Sequence, residues 1–259
     1  MRRLFATSLA ILALATAVAA PAPAQQPAAG PSTSVPPDKA DAFGERVRAY
    51  LLDHPEVIRE AITILQNREQ LAQAEATKQA IIARADEIFR DPASPVGGNS
   101  KGDVTLVEFF DYNCKYCRAV APTMAEVSRN DPGLRVVYKE FPILGPGSES
   151  AARVALAAAR QGKYHELHQA LMTVESPVTE EKAIGAAAAA GLDLERLKRD
   201  LSDPVIAETI ARNHALAAAL GINGTPGFVI ADQLVPGAID RATMERLIAD
   251  ARGKPKATP

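Results

Sequence analysis

Cys114 and Cys117 are the only two cysteines in a chain of 259 residues, and two residues separate them. One pair cannot staple a disulfide-rich scaffold, and it is only half of a four-thiolate zinc site. The chemistry left to it is its own: reversible closure to a disulfide, exchange with thiols of another protein, or capture of a soft ion such as Cu(I). Exchange needs a thiolate, and a free thiol with a pKa of about 8.5 is only slightly ionised at neutral pH. Cys114 is expected at the first turn of a helix with Asn113 as its cap, where unpaired N–H groups and the helix dipole favour the anion. Lys115 and Arg118 add positive charge in the same turn. Cys114 is therefore the expected exposed nucleophile and Cys117, one turn inward, the resolving thiol. Three residues along a helix also lets the two sulfurs bond each other.

These residues must be positioned by the elements around them. A short apolar run, Thr105 to Phe110, predicts a buried strand directly before the pair, and a helix should follow to about Arg129. A second strand is expected from Leu134 to Phe141. An alanine-rich helical region runs from about Ser148 to Leu220, punctuated by Gly162, Ser176-Pro177, Gly191 and Asp203-Pro204. Two short strands, Gly227 to Ala231 and Gln233 to Val235, precede a last helix from Asp240 to Arg252, and residues 253–259 read as a frayed tail. The order is α/β, with an all-helical block interrupting the sheet.

Ahead of this domain the chain changes character twice. Arg2 and Arg3 precede an apolar run from Leu4 to Ala20, and Ala22-Pro23-Ala24 offers small residues for cleavage, so residues 1–24 read as a secretory signal peptide. The alternative, a membrane anchor, suits an alanine-rich run of this length poorly. Export of this type implies the periplasm, an oxidising compartment in which one close cysteine pair is better suited to chemistry than to stapling. Residues 25–37 are rich in Pro, Ala, Gly and Ser without apolar periodicity and read as a disordered leader. From Asp38, apolar residues recur at helical spacing through Phe43, Val47, Tyr50 and Leu51. After the break at Asp53-His54-Pro55 a second helix, Glu56 to Arg90, carries Val57, Ile58, Ala61, Ile62 and Leu65 on one face. A helix of that length spans roughly 50 Å at 1.5 Å per residue and needs a partner for its apolar end. The segment 38–90 is thus expected to be either a homo-oligomerisation stalk or a helical hairpin packed on the main domain. Residues 91–102, with two prolines and three glycines, read as a linker.

Other classes find less support. A formal net charge of -2 leaves no broad basic surface for nucleic acid. His165 and His168 are spaced as a metal pair, but no further ligand stands near them in sequence, and they read as surface and half-buried helix residues. His54 reads as a cap or turn residue. Gly145-Pro146-Gly147 lacks the lysine and the helix start of a phosphate loop. Ser148 and Ser150 have no base at a recognisable spacing. No bound cofactor and no resident metal are expected.

The run from Leu106 to Pro122, Leu-Val-Glu-Phe-Phe-Asp-Tyr-Asn-Cys-Lys-Tyr-Cys-Arg-Ala-Val-Ala-Pro, resembles the active-site segment of the DsbA family of periplasmic thiol-disulfide oxidoreductases. That resemblance implies a thioredoxin fold over about residues 103–252, with 148–220 as the family's helical insertion. It implies that Thr225-Pro226 is the cis-proline loop facing the cysteines, with Thr225 touching the substrate, and that Glu108 is the buried acid taking the proton of Cys117 directly or through water. Lys115 and Tyr116, between the cysteines, would meet the substrate. Tyr50 to Ala61 ahead of such a domain is similar to the ScsC branch, some of whose members oligomerise and act as isomerases or reductases. Tyr116 and Thr225 resemble isomerase loops more than oxidase loops, whereas Lys115 departs from the commoner glycine. The expected reaction is thiol-disulfide exchange on periplasmic proteins, supported by a membrane redox partner that is either a quinone-linked oxidase or a thiol donor. Isomerase or reductase action is favoured over oxidase, and copper(I) binding is the alternative of another class.

Overall fold

The computed structural model describes residues 37–253; the expected signal peptide, most of the leader and the tail beyond 253 lie outside the described residues. Two compact units divide the chain between Ala61 and Ile62. Helix α1 (Pro37–Asp53) lies in the first unit. Helix α2 (Glu56–Ala83) starts there, after the backbone turn at His54. No helix among the described residues is long and apolar enough to cross a membrane.

The second unit is built on a sheet of five strands, β1 (Val96–Gly98), β2 (Val104–Phe110), β3 (Leu134–Glu140), β4 (Gly227–Ile230) and β5 (Gln233–Pro236), in the order β1-β3-β2-β4-β5. β2 pairs parallel with β3, and the remaining pairs are antiparallel. The central strand β2 is buried on both faces, which is why its sequence reads as an apolar run without alternation. Val104 and Leu106 pack with helices α3 (Lys115–Asn130) and α9 (Arg241–Gly253), through Val120, Met124, Val127, Met244 and Ile248. Val107 and Phe109, pointing the other way, meet Ile81, Ile88 and the end of helix α8 (Pro204–Leu220).

Between β3 and β4 stand α4 (Pro146–Ala159), α5 (Tyr164–Thr173), α6 (Glu180–Ala189), α7 (Leu194–Leu201) and α8. The Gly, Pro and Asp signals of the sequence fall between these helices. Thr179, Asp193 and Asp203 cap the next helix with their side chains, and Gly221 ends α8 at φ 74°, a conformation glycine adopts freely. α4 buries alanines at 151, 152, 155, 157 and 158, small enough for close approach of its neighbours. α8 serves two cores, with Ile206 and Ile210 in the insertion and Leu216, Ala217 and Leu220 under the sheet.

The structure differs from the sequence expectation at the junction of stalk and domain. The long helix stops at Ala83, about 42 Å at 1.5 Å per residue, and a short π-helical turn (Asp86–Arg90) replaces its last part. Ile81 and Ile88 belong to the sheet's core and not to a separate stalk. Residues 91–102 are not a plain linker, because they contain β1, antiparallel to β3. Polar ties fasten this stretch: Lys139 Nζ donates to the Glu87 carbonyl (2.7 Å), Ser94 Oγ (2.7 Å) and Asp91 Oδ2 (3.1 Å), and Arg135 donates to the Phe89 carbonyl (2.7 Å).

Candidate active site

β2 ends at the sheet's centre, and a tight turn delivers the chain to the start of α3. Cys114 is itself the N-cap residue, with extended φ/ψ of -75° and 115°, and its Sγ accepts the Cys117 N–H at 3.4 Å. This corrects the expected cap. Asn113 turns aside to the insertion, accepting the Val178 N–H at 2.6 Å and donating to the Val178 carbonyl and Ser148 Oγ. Asp111 holds the turn from below by accepting the Asn113 N–H at 2.7 Å.

Both cysteines are free thiols. The expected exposure of Cys114 is also corrected, since the residue is 5% exposed and Cys117 is 0% exposed. The cover comes from a distant segment. Thr225-Pro226 has a cis peptide bond, and the Cys114 thiol donates to the Thr225 carbonyl at 3.2 Å. The loop 221–227, with Leu234, Pro236 and Gly237, borders an open cavity of about 280 Å³. The structure thus brings together Cys114, Cys117, Thr225 and Pro226.

The two residues between the cysteines face outward. Tyr116 is 54% exposed, and Lys115 Nζ lies 4.8 Å from its ring centroid, a cation–π pair at the surface. Arg118 turns toward α5, donating to the carbonyls of Tyr112 and Leu171 (both 3.3 Å) and of Val174. Its charge rests on the carbonyl end of that helix.

Glu108 lies on the β2 face covered by α3, between Leu106 and Phe110, and is buried. Its Oε1 has no hydrogen-bond partner among the described residues, and burial pushes its carboxyl up to about 8. Burial pushes the Cys117 thiol up as well, and the Glu108 charge adds to that rise. A charge on Glu108 thus disfavours a thiolate at Cys117.

A second buried acid escaped the sequence reading. Glu140 on β3 accepts the hydroxyls of Tyr164 (2.7 Å) and Tyr112 (3.0 Å), and burial holds its carboxyl far above the usual range. His168 belongs to this cluster instead of being half-exposed. Its Nδ1 lies 3.1 Å from the Tyr112 hydroxyl, and burial lowers its pKa to about 3, so it is neutral. His165 stands apart, with Nε2 2.8 Å from the Val96 carbonyl. The only signal for Glu140 in sequence was a charged pair, Lys139-Glu140, inside a strand. Gly145-Pro146-Gly147 does open a helix, α4, contrary to expectation, but still without a phosphate-loop lysine. Among the described residues no group of three or more His, Cys, Asp or Glu side chains is placed to hold a metal.

A family model described as a DSBA-like thioredoxin domain matches residues 105–249, and one described as the copper resistance protein ScsC N-terminal domain matches residues 40–72. The crystal structure of Salmonella enterica Typhimurium BcfH is similar at 30% identity and a TM-score of 0.73, covering 83% of this chain and 97% of that one. A thioredoxin-like oxidoreductase from Silicibacter pomeroyi DSS-3 is 47% identical with a TM-score of 0.64, covering 66% of this chain and 98% of its own. The catalytic domain of Proteus mirabilis ScsC is 30% identical with a TM-score of 0.64, covering 68% of this chain and 99% of its own. Among curated sequences, the Na(+)/H(+) antiporter NhaA of Herminiimonas arsenicoxydans is 30% identical over 170 residues, 64% of this chain. The chain spans about a quarter of the length of that relative, 27%.

Proposed function

The chain belongs to the family of DSBA-like thioredoxin domains, with an ScsC-type segment before it, and on that premise we propose that Cys114-Lys115-Tyr116-Cys117 performs its thiol-disulfide exchange in the direction of isomerisation or reduction. The Cys114 thiolate attacks one sulfur of a substrate disulfide, and the other substrate sulfur leaves and takes a proton. The mixed disulfide then has two fates. Cys117 can pass its proton to ionised Glu108 and attack Cys114 Sγ, which releases a reduced substrate and leaves the Cys114–Cys117 disulfide. Alternatively, a second substrate thiol attacks the substrate sulfur of the mixed disulfide, and Cys114 returns as a thiolate with the substrate's pairing changed.

The observation that carries the isomerase reading is the state of Cys117: it is inaccessible to solvent, and burial beside Glu108 holds its thiol protonated. A resolving thiol that ionises reluctantly prolongs the mixed disulfide, giving the substrate time to rearrange. Thr225 and cis-Pro226 would present backbone to the substrate chain, and Lys115 with Tyr116 would form the exposed rim. Work in the periplasm, cleavage of the first 24 residues and recycling by a membrane redox partner complete the reading. The apolar side chains Phe43, Tyr50, Ile58, Ile62, Leu65 and Leu71, exposed on α1 and α2, support homo-oligomerisation through the N-terminal helices.

The test offers scrambled and reduced substrate proteins to the wild type, Cys117→Ser, and the double variant Ile62→Lys, Leu65→Lys. Wild type should unscramble faster than it oxidises, Cys117→Ser should accumulate covalent complexes, and the double variant should lose assembly and unscrambling together. Rapid oxidation of the reduced substrate, indifferent to the double substitution, would place oxidase action first. A second reading, Cu(I) capture by the two thiols, is favoured by the copper-resistance segment at 40–72. Cu(I) titration of the reduced protein against Cys114→Ala checks it, and equal uptake by both would exclude it.

A further inference from the structure

Asp111, the residue after β2, is 1% exposed, and every hydrogen bond to its carboxylate comes from a neutral donor. Oδ1 accepts the Asn113 N–H (2.7 Å) and the Ser148 hydroxyl (2.7 Å). Oδ2 accepts the N–H groups of Ile143 (2.8 Å) and Leu144 (2.9 Å). Three separate pieces of chain, the turn before Cys114, the loop after β3 and the first turn of α4, are thereby gathered onto one side chain. Ser148 closes a ring by also accepting from Asn113 Nδ2 at 3.1 Å. The Asp111 main chain also meets the cysteine turn: its carbonyl accepts the Cys114 N–H (3.1 Å), and its N–H favours a Cys117 anion.

Burying a carboxylate costs several kcal/mol unless its lone pairs are filled. Here four donors fill them, and those donors belong to segments that touch the cysteine turn. We propose that Asp111 is a positioning residue of the thiol-disulfide exchange site, locking residues 111–114 so that Cys114 Sγ stays on its backbone donor, the Cys117 N–H, in the reduced state. The inference rests on the exchange reading of Cys114 and Cys117. With the lock in place, Cys114 Sγ is held between the Cys117 N–H and the Thr225 carbonyl. Loosening the turn removes donors from the reduced form and leaves the disulfide comparatively favoured, so the protein becomes more reducing.

The sign separates positioning from bare charge. Removing a negative charge near two sulfurs, with nothing else changed, would favour their anions and make the protein more oxidising. Asp111→Asn keeps the shape but turns an N–H₂ group toward donors, so it unlocks the turn. The redox equilibrium of wild type, Asp111→Asn and Ser148→Ala is measured against glutathione, with thermal unfolding followed in parallel. Asp111→Asn should shift the equilibrium about tenfold toward the disulfide, about 30 mV. Ser148→Ala, which removes one donor and no charge, should shift it about threefold in the same direction. A folded Asp111→Asn within twofold of wild type, or shifted the other way, overturns the proposal. Should that variant not fold, Ser148→Ala decides: a shift toward the disulfide supports the lock, and a wild-type equilibrium overturns it. A wild type that reaches no equilibrium with glutathione would instead sink the exchange reading itself.

Discussion

Replacing Glu108 by glutamine should make the protein more stable at neutral pH while slowing its chemistry. In the unfolded chain this carboxyl ionises at its ordinary value of 4.5, whereas in the fold burial alone holds its proton until about 8. The native state therefore binds more protons than the unfolded state across that window, and stability falls as pH rises through it. At about 1.36 kcal/mol per pH unit, the loss is about 3 kcal/mol at pH 7 and about 5 kcal/mol above pH 8. Below 4.5 both states are protonated and the cost vanishes. Glutamine has nearly the same shape and no proton to retain, so Glu108→Gln should match wild type near pH 4.5 and exceed it by about 3 kcal/mol at pH 7. That corresponds to roughly 6–12 °C in melting temperature for a domain of this size. Urea unfolding of the reduced proteins at both pH values is the assay, paired with the rate at which a preformed mixed disulfide at Cys114 resolves. A stability difference that is the same at both pH values would refute the burial argument. Wild-type resolution by the variant would remove Glu108 from the proton path.

Other perturbations probe the scaffold around the site. Asp91→Ala strands the buried Lys139 ammonium without its carboxylate and should cost about 3–5 kcal/mol in urea unfolding, much of it recovered when Lys139→Met is added. Gly98 has φ 63°, and a Cβ there would lie 2.5 Å from the Leu134 carbonyl oxygen. Gly98→Ala should therefore destabilise by about 1–3 kcal/mol and speed amide exchange where β1 meets β3, at 96–98 and 135–137. Tyr164→Phe removes the 2.7 Å hydrogen bond to Glu140 and leaves that buried acid with Tyr112 alone, which should cost about 1–3 kcal/mol in thermal or urea unfolding.

Much of the element order was legible because it follows from local chemistry. Gly162, Ser176-Pro177, Gly191 and Asp203-Pro204 interrupt helices whatever surrounds them, and these are the places where α4 to α8 are separated. The apolar run at 105–110 identified the central strand for the same reason. β1 was not legible: it is Val-Gly-Gly, with one buried residue, and it is a strand because β3 pairs with it. Asn113 has a good cap side chain, but Val178 and Ser148, far away in sequence, claim it. Lys139 and Glu140 look like surface charges, yet each is buried because its partners arrive from other elements.

By itself the sequence determined that there is one dithiol, that it stands at the junction of a buried strand and a helix, and that an alanine-rich helical block follows. Those properties depend on residues within a few positions of each other. The tertiary structure alone decided that Cys114 is covered by the Thr225 carbonyl, that Glu108 is buried with its Oε1 unpartnered among the described residues, and that Asp111 gathers three segments beneath the pair. The tendency of a thiol to ionise depends on burial and on donors within a few ångströms. Those distances are set by packing between residues as much as 111 positions apart.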